Sequence, residues 1–173
     1  MKPDHTEPAP ALRFKLSLPK AGGRQPESMV LKAYRGWRRG LAVRDLDVLE
    51  GIWKLFTDTL SPNSATLAFD AMAQFVRALD GCASCPLRRH PMGDDHLHPD
   101  EALVIGLISA LQNDDTKAAS FCLSALTCHS RCEEVEAAAS LLAMALKVDG
   151  QTLLPASVEL QPVAQHLINH TLH

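Results

Sequence analysis

Two close pairs of cysteines are the residues of this chain whose types and spacing best fit a chemical site. Cys82 and Cys85 are separated by two residues, and Cys128 and Cys132 by three. Each pair lies in a short polar break between stretches with helical periodicity. Two thiolates on one turn can reach the same ion at a Zn–S distance of about 2.3 Å, and two such turns supply the four corners of a tetrahedral site. The spacing therefore predicts a candidate metal site.

The sequence leaves the chemistry of these cysteines open. A structural zinc is the first interpretation, an iron–sulfur cluster is a less favoured one, and a redox or regulatory thiol pair is a third. Four unliganded cysteines remain the plain alternative, because nothing in the sequence brings the two loops together. The fifth cysteine, Cys122, lies among apolar helical residues and is predicted to pack in the core.

Histidines near both cysteine pairs are alternative ligands. His90, His96 and His98 lie in the loop that follows Cys85, and His129 lies between Cys128 and Cys132. Imidazole nitrogens bind zinc and iron, so any of these side chains could replace a thiolate. The simpler interpretation is a solvated loop whose acidic residues, Asp100 and Glu101, favour the start of the next helix.

A basic helical face near the start of the chain is the candidate surface for a partner. Arginine and lysine side chains recur there around Tyr34 and Trp37, and the candidate contact residues are Lys32, Arg35, Arg38 and Arg39. Such a face fits another protein or a second copy of this chain. Nucleic acid is a less favoured partner, because Tyr34 and Trp37 share the apolar face and are expected to pack inward rather than stack on bases.

The charge is distributed unevenly along the chain. Residues 1–44 carry ten Lys or Arg against three acids, although the whole chain has a net charge of −3. This basic segment could meet an acidic partner, but the simpler expectation is that it lies on the acidic body of its own chain or of a second copy.

Recognisable catalytic motifs are absent from the sequence. It contains no phosphate-binding G-x-x-x-x-G-K-[ST] loop, no G-x-S-x-G nucleophile turn and no H-E-x-x-H metal helix. A binding or regulatory role is favoured over an enzymatic one. An odd number of cysteines, no apparent secretory signal and no run of about 18 apolar residues predict a cytoplasmic protein without a membrane span.

Hydrophobic periodicity predicts an all-α fold. Hydrophobic residues make up 46% of the 173 residues and aromatic residues only 5%, so Ala and Leu supply most of the apolar bulk. Apolar stripes predict helices at about residues 28–40, 44–60, 64–80, 99–112, 116–127 and 133–147, with a short closing helix around 163–171. Gly40 is predicted to end the first helix.

The predicted organisation is a flexible basic arm at 1–26 followed by one all-α domain at 27–173, a bundle or array of five to seven helices. Within the arm, Leu12, Phe14, Leu16 and Leu18 alternate with polar residues, which predicts a short extended segment at 12–18. The leading hypothesis is a binding or regulatory module with a structural zinc and a basic arm. The alternatives are an iron–sulfur or dithiol redox protein and a metal-free interaction scaffold.

Overall fold

Six α-helices make up most of the described structure. The computed structural model describes residues 25–81 and 97–155 in full and the backbone of residues 12–17 and 157–162. The prediction of an all-α fold with five to seven helices is confirmed. In chain order, the helices are α1 (Gln25–Val43), α2 (Leu46–Thr57), α3 (Pro62–Asp80), α4 (Pro99–Gln112), α5 (Thr116–Leu126) and α6 (Cys132–Val148).

Local sequence signals explain where several of these helices begin. Proline is the first residue of α3 and of α4, where its missing N–H has no helical partner to lose. The Asp115 side chain accepts a hydrogen bond from the backbone N–H of Ala118 at 3.0 Å and so caps α5. The Asp45 side chain accepts from the N–H of Asp47 at 3.1 Å at the start of α2.

Gly40 does not end α1, contrary to the prediction. The helix continues to Val43, and Arg44 then takes a left-handed conformation with φ 54° that turns the chain toward α2. Gly40 serves packing instead, since a Cβ built there would lie 2.7 Å from Cδ2 of Leu49 on α2. Weak helix propensity at glycine was therefore outweighed by the close approach of two helices.

Two short strands pair with each other, and the first of them contacts α4. β1 (Leu12–Ser17) runs antiparallel to β2 (Ser157–Pro162), with Leu12 opposite Pro162 and Ser17 opposite Ser157. β1 covers six of the seven residues predicted as an extended segment, and its partner edge belongs to the same chain. β2 was not predicted. The closing helix around 163–171 lies outside the described residues, and the division of the chain at residue 26 stays a prediction.

The core lies where α3, α4 and α6 pack together. On α4, Val104, Ile105, Leu107 and Ile108 are all at most 1% exposed, so α4 is a central buried helix. α3 and α6 are in close contact, and both contribute buried alanines to the core, such as Ala68 and Ala139.

The helices α3 and α6 are antiparallel neighbours. Ser61, just before α3, donates its backbone N–H to Oδ2 of Asp149, just after α6, at 2.5 Å. At the other end, Gly81 follows α3 and lies beside Arg131, which precedes α6. The end of α3 and the start of α6 therefore meet at one end of the molecule.

Candidate metal and thiol site

The turn between α5 and α6 places Cys128 and Cys132 on one short loop, as the spacing predicted. A 3-10 turn spans His129–Arg131 between them, and the backbone N–H of Arg131 donates to the carbonyl of Cys128 at 3.0 Å. Both thiols are partly exposed. Cys132 opens α6, so its sulfur lies near unpaired backbone N–H groups and the positive end of the helix dipole.

Hydroxyl groups hold both sulfur atoms of this turn. Cys132 Sγ lies 2.9 Å from Oγ1 of Thr127, and Cys128 Sγ lies 3.3 Å from Oγ of Ser130. Cys132 Sγ also lies 3.6 Å from the carbonyl oxygen of Cys128, toward which a neutral thiol can donate. Because the Thr127 hydroxyl donates its proton to the Leu123 carbonyl at 2.9 Å, its oxygen is available to accept from a neutral Cys132 thiol. These contacts orient the two sulfurs.

The first cysteine loop follows Gly81, which lies beside the Arg131 side chain of this turn. Gly81 is the last described residue before Cys82, and a Cβ built on it would lie 3.7 Å from Cζ of Arg131. Arg131 lies between Cys128 and Cys132 in the sequence. Cys82 and Cys85 themselves, with His90 and His96, lie outside the described residues, so their membership in a metal site stays a prediction.

The remaining two candidate histidines lie apart from each other. His98 precedes α4, where its backbone N–H donates to Oε2 of Glu101 at 3.1 Å. His129 lines a cleft of about 520 Å³ between α4, α5 and α6, together with Cys132 and Glu136. Within residues 25–81 and 97–155, no group of three or more His, Cys, Asp or Glu side chains is arranged to hold a metal ion.

Arg35 of the candidate partner surface forms a buried ion pair within the chain. Its Nε donates to Oε1 of Glu101 at 2.6 Å and its Nη2 to Oε2 at 2.7 Å, a bidentate pair whose side chains are only 9% and 3% exposed. Since Glu101 also accepts the His98 N–H, this one carboxylate joins α1 to the start of α4.

Arg38 connects α1 to the end of α3 in the same way. Its Nη2 lies 3.3 Å from Oδ1 of Asp80, and its Nη1 donates to the hydroxyl oxygen of Tyr34 at 3.0 Å. Burial raises the pKa of Tyr34, the Arg38 charge acts in the opposite direction, and the charges of Asp100 and Asp80 raise it slightly further. Tyr34 therefore lies close to both ends of the segment that joins α3 to α4.

Two of the four predicted partner-contact residues are thus occupied by acids of their own chain, while Lys32 and Arg39 are exposed. Tyr34 and Trp37 are buried, at 2% and 4% exposure, as the apolar stripe predicted. Sequence reasoning missed this ion-pair network. The charge distribution predicted contact with acids of the same chain only in general. Glu101 lies three residues after His98, a spacing typical of helix starts, and this spacing does not name an arginine 66 residues away.

Cys122 is a core residue, as predicted. It is 0% exposed, and burial, with a smaller contribution from the charge of Asp115, raises the pKa of its thiol to about 11. A neutral buried thiol is a poor nucleophile and a poor metal ligand.

Comparisons with known proteins give no relative from which a role could be transferred: no family model, no curated protein and no solved structure matches this chain. None of the helices in the described part of the chain combines the length and the apolar character that a membrane span needs.

Proposed function

We propose that this protein is a small helical binding module in which Cys82, Cys85, Cys128 and Cys132 hold one structural zinc. The observation that carries the proposal is the approach of Gly81 to Arg131, at 3.7 Å from a Cβ built on the glycine. The contacting atom is Cζ at the end of the Arg131 side chain, and Cys82 follows Gly81 by about 3.8 Å along the chain, so the first cysteine loop begins at the same end of the molecule as the turn that carries Cys128 and Cys132. Long separation in sequence is then no obstacle to a shared site.

The surroundings of the Cys128–Cys132 turn suit zinc-bound thiolates. Four thiolates around Zn²⁺ leave a net charge of −2, which the start of α6 would partly offset. The Arg131 guanidinium on the same turn is paired with Glu134 at 2.6 Å, so it would contribute less. The Thr127 hydroxyl lies 2.9 Å from Cys132 Sγ and donates to the Leu123 carbonyl, so it would support a ligating sulfur only by turning its O–H from that carbonyl toward the sulfur. Zinc supplies no reaction in this role, because it only fastens the end of α3 to the start of α6.

The ion pairs on α1 support the same arrangement from the other side. Arg38 holds Asp80, two residues before Cys82, and Arg35 holds Glu101, just after the segment ends. Both ends of the segment that contains Cys82 and Cys85 are therefore fixed to one helix. Fixing both ends of a segment reduces the conformational entropy that it loses when it binds an ion, which would favour zinc binding.

The binding role itself rests on the exposed basic residues Lys32 and Arg39 of α1. We infer that they face an acidic surface of another protein in a reducing cytoplasm. With Arg35 and Arg38 engaged internally, this surface is smaller than the sequence suggested. A Lys32→Glu/Arg39→Glu variant is expected to keep its thermal stability and to lose the partner.

Thermal unfolding with and without a chelator tests the zinc. If the metal is structural, its binding free energy contributes to folding. The chelator should then lower the melting temperature of the wild type to that of a Cys132→Ser variant and change that variant little. Cys122→Ala is the matched control, since it removes a buried cysteine that is not a ligand: its melting temperature should still fall with chelator. A wild-type melting temperature that ignores the chelator would overturn the proposal.

A dithiol redox protein is the second candidate, and the Cys132 contacts favour it. A thiol that lies 3.6 Å from the Cys128 carbonyl belongs to a pair already on one turn, close enough for a disulfide to be considered. Reduced and oxidised samples distinguish the two functions. A redox pair changes its thiol count reversibly in metal-free protein, whereas zinc-bound thiolates are protected until the metal is removed. An iron–sulfur cluster would give a coloured protein.

A further inference from the structure

The outer face of α6 carries apolar side chains at coiled-coil spacing. Ala137, Leu141, Met144 and Val148 follow one another at steps of four, three and four residues, the a/d pattern of helices that pair side by side. We call these four residues the α6 seam. Leu141 is 36% exposed, Met144 50% and Val148 72%. A row of large apolar side chains on one helix face is typical of an interaction surface rather than of scattered exposure.

The shape of the α6 seam differs between its two halves. At the end nearer Cys132, a shallow groove of about 430 Å³ between α3 and α6 reaches Leu141 and is lined by three alanines (Ala78, Ala137 and Ala138) together with polar and charged side chains, among them Arg77 and Glu134. At the other end, the larger side chains of Met144 and Val148 project. A recessed half and a projecting half on one helix complement each other when two copies meet head to tail across a two-fold axis.

Charges along α6 favour the same antiparallel arrangement. The first turn is acidic, with Glu133 and Glu134, and the last turn contains Lys147. Glu133, Ser140 and Lys147 are spaced seven residues apart, so they share the edge that flanks the seam. A two-fold axis near Ser140 brings Glu133 of one copy beside Lys147 of the second copy, and it brings Met144 near the groove at Ala137.

Lys147 already makes one contact within its own chain. Its Nζ donates to the carbonyl of Gln112 at 2.7 Å, which leaves two of its three N–H groups available. In a parallel pairing, by contrast, the edge that carries Glu133 and Lys147 would lie against the opposite edge of the second helix, so these two opposite charges would not be brought together.

We propose that the α6 seam is the interface of a symmetric homodimer, with α6 of one copy antiparallel to α6 of the other. This inference does not depend on a metal. One short helix pair buries less area than a standard interface of about 800 Å² per partner. The dimer should therefore be in equilibrium with monomer, with a dissociation constant in the micromolar range or above.

Sedimentation equilibrium of the full chain tests this interface, under reducing conditions and with the metal content as purified. The wild type should pass from monomer to dimer as its concentration rises from micromolar to near millimolar. Met144→Glu and Val148→Glu should each raise the dissociation constant by about 100-fold or more, because a carboxylate would be desolvated without a partner. Both positions are half-exposed or more, so these variants should fold, which circular dichroism verifies.

Leu46→Glu is the matched control. Leu46 is 76% exposed on α2, away from the α6 seam, so this variant should dimerise like the wild type. Glu133→Lys and Lys147→Glu should each weaken the dimer by about threefold to tenfold, and the double variant should recover much of the loss. A wild type that stays monomeric at every concentration overturns the proposal. A dimer that persists in Met144→Glu and Val148→Glu also overturns it, because its interface must then lie elsewhere.

Discussion

Two arginines of α1 that the sequence predicts to be exposed instead hold helices of the same chain together. Arg35 repeats with Lys32 and Arg39 on a basic face, yet its guanidinium lies 9% exposed against the Glu101 carboxylate. A buried ion pair contributes little net stability when both partners are present, but either partner left alone is costly. The side chain therefore serves to fix α1 against the start of α4.

Replacing Arg35 by Met should lower the free energy of unfolding by about 3–5 kcal/mol, because Glu101 would remain buried without its cation. Lys32→Met on the same helix is the control and should change stability by less than about 0.5 kcal/mol, since Lys32 is exposed. Urea unfolding of both variants measures the difference. Equal effects of the two substitutions would contradict the assigned role of Arg35.

Thiol reactivity should separate Cys122 from Cys128. With a pKa of about 11 and no exposed surface, Cys122 stays protonated and protected near pH 8. Folded protein is first reduced and treated with a chelator so that no metal protects its thiols, and is then alkylated briefly. Mass spectrometry should find Cys128 labelled and Cys122 unlabelled. Labelling of both at similar rates would mean that the core around α5 opens readily.

At the scale of elements, glycines decide how closely α1 and α2 cross. A Cβ on Gly36 would lie 2.8 Å from both Cδ1 and Cγ1 of Ile52, a core residue of α2, whereas a Cβ on Gly51 would meet nothing within 4 Å. The same substitution should therefore have opposite effects at the two positions.

Gly51→Ala should raise the free energy of unfolding by about 0.5–1 kcal/mol through helix propensity alone. Gly36→Ala should lower it, by about 1–3 kcal/mol, because Ile52 must move within a packed core. Chemical denaturation of the two variants against wild type provides the measurement. A stabilising Gly36→Ala would show that α1 and α2 are not in such close contact.

Asp149 links the end of α6 to the start of α3 and should make stability pH-dependent. The hydrogen bond from the Ser61 backbone N–H is the main cause that lowers the pKa of the Asp149 carboxyl in the folded state. A lowered folded pKa means that the stabilisation is present above the unfolded pKa, about 4, and is lost as the pH falls through the folded value. Since the carboxylate is exposed, the effect is modest.

Asp149→Asn should lower the melting temperature at pH 7, and the gap to wild type should shrink as the pH falls below about 4. Calorimetry at several pH values tests this. If the difference in melting temperature stays constant down to the most acidic pH at which the protein folds, the charge of Asp149 is not the cause of the stabilisation.

Sequence periodicity predicted where the helices lie in the chain better than it predicted which helices contact one another. The bounds of α4 matched the prediction because Pro99 and a nearly all-apolar run mark them locally. The end of α1 was missed because the role of Gly40 depends on Leu49 of another helix. The strand β2 was missed because Pro155 and Pro162 obscured a short alternation of Val158 and Leu160.

At the candidate site, the Cys128–Cys132 turn could be predicted from the spacing of the two cysteines. The approach of Gly81 to Arg131 could not, because it depends on the antiparallel packing of α3 and α6.

At the scale of the whole molecule, much of the basic character of α1 is used internally. Arg35 and Arg38 reach acids on either side of the segment that joins α3 to α4, which agrees with the simpler expectation for the charge gradient. The Cys128–Cys132 turn lies at the same end of the molecule, where the Arg131 side chain approaches Gly81. The end of α3, the start of α6 and the Arg38–Asp80 ion pair therefore lie at the end of the molecule where we propose that the two cysteine loops share a metal.

The metal content of wild-type protein, purified without added metal or chelator, tests this account most directly. Elemental analysis should find about one zinc per chain, and Cys82→Ser and Cys132→Ser should each lose it while Cys122→Ala retains it. Loss in both ligand variants would show that two loops far apart in sequence hold one ion. Wild-type protein without stoichiometric metal, or a Cys132→Ser variant that keeps its zinc, would contradict the account.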